Sequence, residues 1–78
     1  MTKRDKTLAK VVDGEVRAIT FKELKAALKI KGFVHDRTNG SHEIWVNPDT
    51  DQSLNIQPHP KNKKMAKPYQ VREFRNTI

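Results

Sequence analysis

Residues 33–47, FVHDRTNGSHEIWVN, decide how this chain folds. Two β-favouring runs, FVHDRT and SHEIWVN, flank Asn39-Gly40. That dipeptide is the preferred centre of a two-residue type I′ turn, since both central positions need a positive φ that Asn and Gly adopt at least cost. A hairpin follows, and its register can be computed. With Thr38 opposite Ser41, Arg37 pairs with His42, Asp36 with Glu43, His35 with Ile44, Val34 with Trp45 and Phe33 with Val46. Directly opposed residues share a face of the sheet, so this register sets a guanidinium beside an imidazole at a strand end open to solvent.

Downstream, PDTDQ (48–52) makes the next turn and SLNIQ (53–57) alternates as a third strand, with Leu54 and Ile56 on one face. Phe33, Ile44, Val46, Leu54 and Ile56 are expected to share the face covered by helices. Trp45 then falls on the opposite face as a contact for a partner, and His35 on the core side as a structural histidine. QPHPKNKK (57–64) cannot continue a central strand, because Pro58 and Pro60 carry no ladder donor, and it reads as a basic, mobile loop.

Upstream, AITFKELKAALKIKGF (18–33) specifies a helix. Thr20 and Glu23 have capping-box spacing, Ile19 and Leu24 sit where a hydrophobic staple forms, and Gly32 closes the element. Phe21, Leu24, Ala27 and Leu28 make one apolar stripe, and Lys22, Lys25 and Lys29 lie on another face. KPYQVREFRNTI (67–78) gives a last amphipathic helix with Pro68 in its first turn and Val71, Phe74 and Ile78 on its inner face. Residues 5–14, DKTLAKVVDG, read as a short helix ending at Gly14; the alternative is an Asp-Gly hairpin within AKVVDGEVRAI (9–19). The expected order is α-α-β-β-β-α. This is an α+β, two-layer domain with a three-stranded antiparallel sheet and helices on one face, running over residues 1–78, with 1–19 as an N-terminal helical extension and 20–78 as the core.

Seventy-eight residues give a thin core, so a large substrate has to bind on the surface. No cysteine is present, which excludes disulfides and thiolate metal sites. MTKRDKTLAKVV at the N-terminus leads into no apolar run of signal-peptide or membrane-span length, and the expected location is the cytoplasm. The net charge of +7 is unevenly spread: residues 1–32 carry +5, residues 33–60 carry −3 and residues 61–78 carry +5. Basic ends suit a polyanion, because each neutralised phosphate releases counterions. They also suit simple solubility.

Histidine exchanges protons near neutral pH, and a neighbouring cation stabilises charge developing on a phosphate. RNA supplies its own nucleophile: a base that takes the 2′-hydroxyl proton lets that oxygen attack the adjacent phosphorus without a metal. His42 and Arg37 have the types this chemistry needs. His59, between two prolines, is a candidate second acid or base. Taken alone, a histidine after a turn is more often an exposed residue without a task, and Ser41 more often bonds turn backbone. The three histidines at 35, 42 and 59 lack zinc-site spacing, and no Gly-rich phosphate loop exists, so no metal or cofactor is expected.

Gly32-Phe33, then Gly40-Ser41-His42, an aromatic-containing strand, LNIQP (54–58) and AKPYQVREFR (66–75) together resemble the HicA toxin family, in particular its longer branch with an N-terminal extension. The resemblance runs from about Asp5 to the C-terminus. It implies a fold like the double-stranded RNA-binding domain (dsRBD-like) and messenger RNA cleavage in a toxin-antitoxin system, with a HicB-type antitoxin that covers the site. The family's essential histidine maps onto His42, with Gly40 and Ser41 shaping the turn. Two departures stand out: Glu43 replaces a second histidine common after this motif, and HPKNKKM (59–65) replaces a more Gly-rich stretch. Lys67, Tyr69 and Gln70 open the last helix, whose N-terminal N–H groups suit RNA phosphates, and with Arg37 and Ser41 they are the candidate RNA contacts. The rival readings are an RNA-binding module without chemistry and a protein-interaction module of the same fold.

Overall fold

The fold is described for residues 2–78 in a computed structural model. Thr20 starts the main helix as its residue type demands. Its hydroxyl accepts from the Glu23 N–H at 3.0 Å, and the Glu23 carboxylate accepts from the Thr20 N–H at 2.9 Å. These bonds satisfy donors that a helix start otherwise leaves unpaired. In the resulting numbering α1 is Lys3–Asp13, α2 is Phe21–Ile30 and α3 is Pro68–Arg75; β1 is Val34–Asn39, β2 is His42–Asn47 and β3 is Gln52–Ile56. A single 3-10 turn, Val16–Ala18, joins α1 to α2. Phe21, Leu24, Ala27 and Leu28 are all buried, and the staple pair Ile19 and Leu24 is fully so.

Glu23 has a second role. Lys10 of α1 reaches its carboxylate at 2.8 Å and ties the N-terminal extension to α2. Burial by itself would raise this carboxyl, but the Lys10 hydrogen bond, the Thr20 backbone and hydroxyl bonds and the Lys10 charge together hold it below the ordinary value of 4.5. A carboxylate held low in the folded state adds stability that is fully present above the unfolded value, and it is lost as pH falls through the folded one. Between pH 7 and pH 3, urea unfolding should therefore show the wild type losing more stability than Glu23→Gln, by no more than about 1 kcal/mol because the pair is partly solvated. Equal losses would show that the carboxylate is not preferentially stabilised in the fold.

The first segment is helical and the Asp-Gly hairpin does not form. Thr2 and Asp5 make another capping box, with bonds of 3.2 Å in each direction. The helix stops at Gly14, whose φ of −75° is open to any residue; glycine is needed because a Cβ there would collide with the Lys10 carbonyl oxygen. Arg75, from the last turn of α3, caps this end: Nε donates to the Val11 carbonyl at 2.7 Å and Nη2 to the Gly14 carbonyl at 2.6 Å. With Val11 fully buried in the same cluster as Phe74 and Ile19, the extension is part of the core.

The sheet has the expected antiparallel order β1-β2-β3, but its register corrects the sequence expectation. Asn39 pairs with His42, Thr38 with Glu43 and Arg37 with Ile44, then an irregularity at Asp36 shifts the ladder so that His35 faces Trp45 and Val34 faces Val46. The turn is Gly40-Ser41, not Asn39-Gly40. Gly40 alone has a positive φ, +64°, which is the pattern of a turn needing Gly at its first central position; Asn39 stays in the strand. A Cβ at Gly40 would meet nothing within 4 Å, so substitutions there report backbone strain alone. Gly40→Val should cost about 1–2 kcal/mol in a denaturant titration and Gly40→Asn clearly less, since Asn tolerates this region. Equal costs would point away from a left-handed residue 40.

Facial assignment in β2 is also corrected. Glu43 pairs with Ile56 and Trp45 with Leu54, so these four residues face the helices, while Ile44, opposite Asn55, and Val46, opposite Ser53, lie on the open face. Ile44-Trp45-Val46 is a continuous apolar run, in which the larger side chain wins the core because it removes the most apolar area from water. Trp45 is buried, with its indole N–H donating to Glu43 Oε1 at 3.2 Å. Asn47, buried on the same face, donates to the Lys31 carbonyl at 3.1 Å and accepts from the Asp49 N–H at 3.0 Å, linking the end of α2 to the β2–β3 turn.

The segment after β3 is a loop, as its prolines require, but it is pinned along its length. Phe21 N–H donates to the Lys64 carbonyl, Ala66 N–H to the Ile19 carbonyl and His59 N–H to the Met65 carbonyl, at 2.9–3.0 Å. Pro68 then occupies the first turn of α3, and Val71 and Phe74 are fully buried. Ile78 is not on that inner face: it lies beyond the helix end and is half exposed.

Candidate active site

His42 is the first residue of β2, directly after the Gly40-Ser41 turn. It lies on the open face of the sheet, exposed, together with Asn39 and Arg37 of β1 and Ile44 of β2 itself. Its Nδ1 is 3.2 Å from the side-chain oxygen of Asn55 in β3. Asn55 stands opposite Ile44, one diagonal step from His42, which is within reach of an imidazole.

A polar chain continues from Asn55 into α3. Its backbone carbonyl accepts from Gln70 Nε2 at 3.2 Å, and Gln70 Oε1 accepts from the Gln57 N–H at 3.0 Å. Gln70 Nε2 also lies 3.4 Å from the Tyr69 hydroxyl. Gln70 is only 3% exposed. The structure therefore places it as the clasp between α3 and the end of β3, where its polar atoms are already engaged. Tyr69 is half exposed, and the Lys67 ammonium sits 5.8 Å from its ring centroid. Lys67 is the N-cap residue of α3 and makes no side-chain capping bond.

Arg37 is on the face of His42 but one residue further from the turn than the expected register put it, which sets it opposite Ile44 and not His42, and its guanidinium bonds Asp36 at 3.0 Å. The side-by-side Arg37–His42 pair does not form, because the turn moves by one residue and each β1 residue up to Arg37 then faces a β2 residue two positions further on; the slip at Asp36 affects only the pairs beyond it. Ser41 is exposed at the second loop position. Glu43 points to the helix side, 3.6 Å from Lys25, so its charge is across the sheet from His42.

The other two histidines are engaged elsewhere. His35 lies on the helix side, with Nε2 2.7 Å from the Thr38 hydroxyl and its ring edge-on to Trp45 at 5.5 Å. His59 Nδ1 accepts from the Lys61 N–H at 3.1 Å, and among the described residues no hydrogen bond joins it to His42. An open groove of about 880 Å³ lies on the helix side between Lys25 and Lys29 of α2 and His35, Glu43 and Trp45 of the sheet. Lys25 and Lys29 sit over the Phe21 and Trp45 rings at 4.7 and 6.0 Å from the centroids, so these lysines are not on the face of His42. Among the described residues no cluster of three His, Asp or Glu side chains is close enough to hold a metal ion, and no helix is long and apolar enough to cross a membrane.

Sequence reasoning missed Asn55. The alternation around Leu54 and Ile56 does put it on the outer face, but only the cross-strand register shows that it meets His42.

The model of a protein family described as the HicA toxin of bacterial toxin-antitoxin systems matches residues 21–77, from the first residue of α2 to the end of the chain but one. No curated protein and no solved structure matches. The family match spans the turn, the whole sheet and α3, and so includes every residue of the His42–Asn55–Gln70 chain; this protein belongs to the HicA toxin family.

Proposed function

We propose that this toxin is a metal-independent endoribonuclease that cleaves messenger RNA, with His42 as its general acid/base. The observation that supports it most is the placement of His42: an imidazole exposed on an open sheet face, at the mouth of a tight turn and held by one side-chain bond. His42 takes the 2′-hydroxyl proton, and the freed oxygen attacks the adjacent phosphorus. The bond from phosphorus to the 5′-oxygen breaks, leaving a 2′,3′-cyclic phosphate on one product and, once the 5′-oxygen regains a proton, a hydroxyl on the other. Lys67 and Tyr69 at the start of α3, Ser41 in the turn and Arg37 further along β1 are the proposed RNA contacts. Gln70 serves by fixing the strand end.

As a toxin-antitoxin toxin the protein has an antitoxin partner; we assign it to the HicB type, masking the open sheet face, and the site of action to the cytoplasm, where messenger RNA lies. The test is incubation of the purified toxin with a structured messenger RNA in EDTA, followed by mapping of the cut ends. Cyclic-phosphate ends are expected, and a substrate with a 2′-deoxy nucleotide at a mapped cut should be spared there. Binding without cutting would leave an RNA-binding module. Cuts that need a divalent ion or ignore the 2′-deoxy substitution would reject the mechanism.

A further inference from the structure

We infer that Asn55 is the positioning residue of this site, holding the His42 ring with its proton on Nδ1 so that Nε2 is the nitrogen that meets the substrate. An amide oxygen only accepts hydrogen bonds. With Asn55 Oδ1 3.2 Å from Nδ1, that nitrogen carries the hydrogen. A neutral imidazole has a single N–H, so its lone pair lies on Nε2, at the other side of the ring and free for a hydroxyl proton. The bond fixes the ring's orientation as well, which an exposed histidine otherwise lacks.

Asn55 is itself held. It lies within β3, in register with Ile44, and its carbonyl is gripped by the buried Gln70 of α3, whose other amide atom grips Gln57 two residues on. The strand end therefore has little freedom to slide against β2. The choice of amide over carboxylate also has a chemical sense. An Asp in this position would accept the same hydrogen bond, but it would favour the charged imidazolium and repel the phosphate of an incoming RNA.

This assignment rests on the ribonuclease reading, and its test separates the two. Nitrogen-15 NMR of the His42 ring, which needs no substrate, should show the hydrogen on Nδ1 in the neutral wild type and a shift towards the Nε2–H form in Asn55→Leu. With RNA, Asn55→Leu should lower kcat at least about tenfold to a hundredfold with little change in KM, the range seen when the outer partner that orients a metal-bound histidine is removed. Asn55→Asp should restore the Nδ1–H form and shift the acid limb of the pH–rate profile upward, a change that a purely structural residue would not produce. Asn55 is exposed, so both variants should keep the wild-type circular dichroism. The same ring form in wild type and Asn55→Leu, or an unmoved pH profile in Asn55→Asp, would overturn the assignment. If wild type leaves RNA uncut the ribonuclease reading fails instead, and if His42→Ala cuts as well as wild type it is His42 that leaves the mechanism, whatever the NMR shows.

Discussion

His42→Ala should lose RNA cleavage by about 10²–10⁴-fold, the usual contribution of a positioned general acid/base, while its folding stability stays within about 0.5 kcal/mol of wild type. The second half of this expectation comes from the geometry. His42 is exposed, at the edge of a turn, and its one side-chain partner among the described residues is an Asn that is itself exposed. Nothing in the core depends on the ring. Binding of uncut RNA should persist and weaken with added salt, since the phosphate contacts assigned to Lys67 and Arg37 are untouched. In cells, growth arrest by the wild-type toxin should be absent with the variant. Retained cleavage in a folded His42→Ala protein would remove the imidazole from the mechanism. A variant that no longer folds would contradict the exposed placement on which the proposal stands.

The largest stability effect is expected in the core. Phe74 is fully buried where α3 meets the cluster that contains Val11, Ile19 and Ile56. Truncating such a side chain costs about 3–5 kcal/mol through lost transfer energy and the cavity left behind. Small domains have about 5–15 kcal/mol to lose, so Phe74→Ala should bring this one close to unfolding at physiological temperature. Tyr69→Ala is the control on the same helix: the side chain is half exposed, and its loss should cost less than about 1 kcal/mol. Thermal melts of the two variants decide the matter. A Phe74→Ala melting temperature as high as that of Tyr69→Ala would mean that α3 is not docked by this residue. The Phe74 variant should also lose activity by unfolding, and stabilisation by a bound antitoxin would restore its melt without restoring cleavage.

Most of the element boundaries were legible in the sequence, because local chemistry sets them. Thr20 and Glu23 cap α2 wherever a helix follows, Pro68 opens α3, Gly40 supplies the positive φ of the hairpin, and the alternation of Leu54 and Ile56 marks β3. His42 could be singled out for the same reason: its residue type and its place after the turn are local facts. The N-terminal helix was legible too, but its docking was not, since Arg75 reaches carbonyls more than sixty residues away in the chain.

The sequence by itself determined which segments become helix or strand, that a tight turn forms around Gly40 though not its register, and that one titratable residue stands at the hairpin mouth. Only the tertiary structure decided which way β2 faces. Ile44, Trp45 and Val46 are all apolar, so period-two reasoning allows either face, and the packing volume offered by Leu54, Ile56 and α2 selects the indole. The structure alone also decided the partners of His42. A one-residue change in the turn moved Arg37 away from it, and the ladder between β2 and β3 brought Asn55 to it. Register is a collective property of backbone hydrogen bonds and core filling, and no single residue's propensity encodes it.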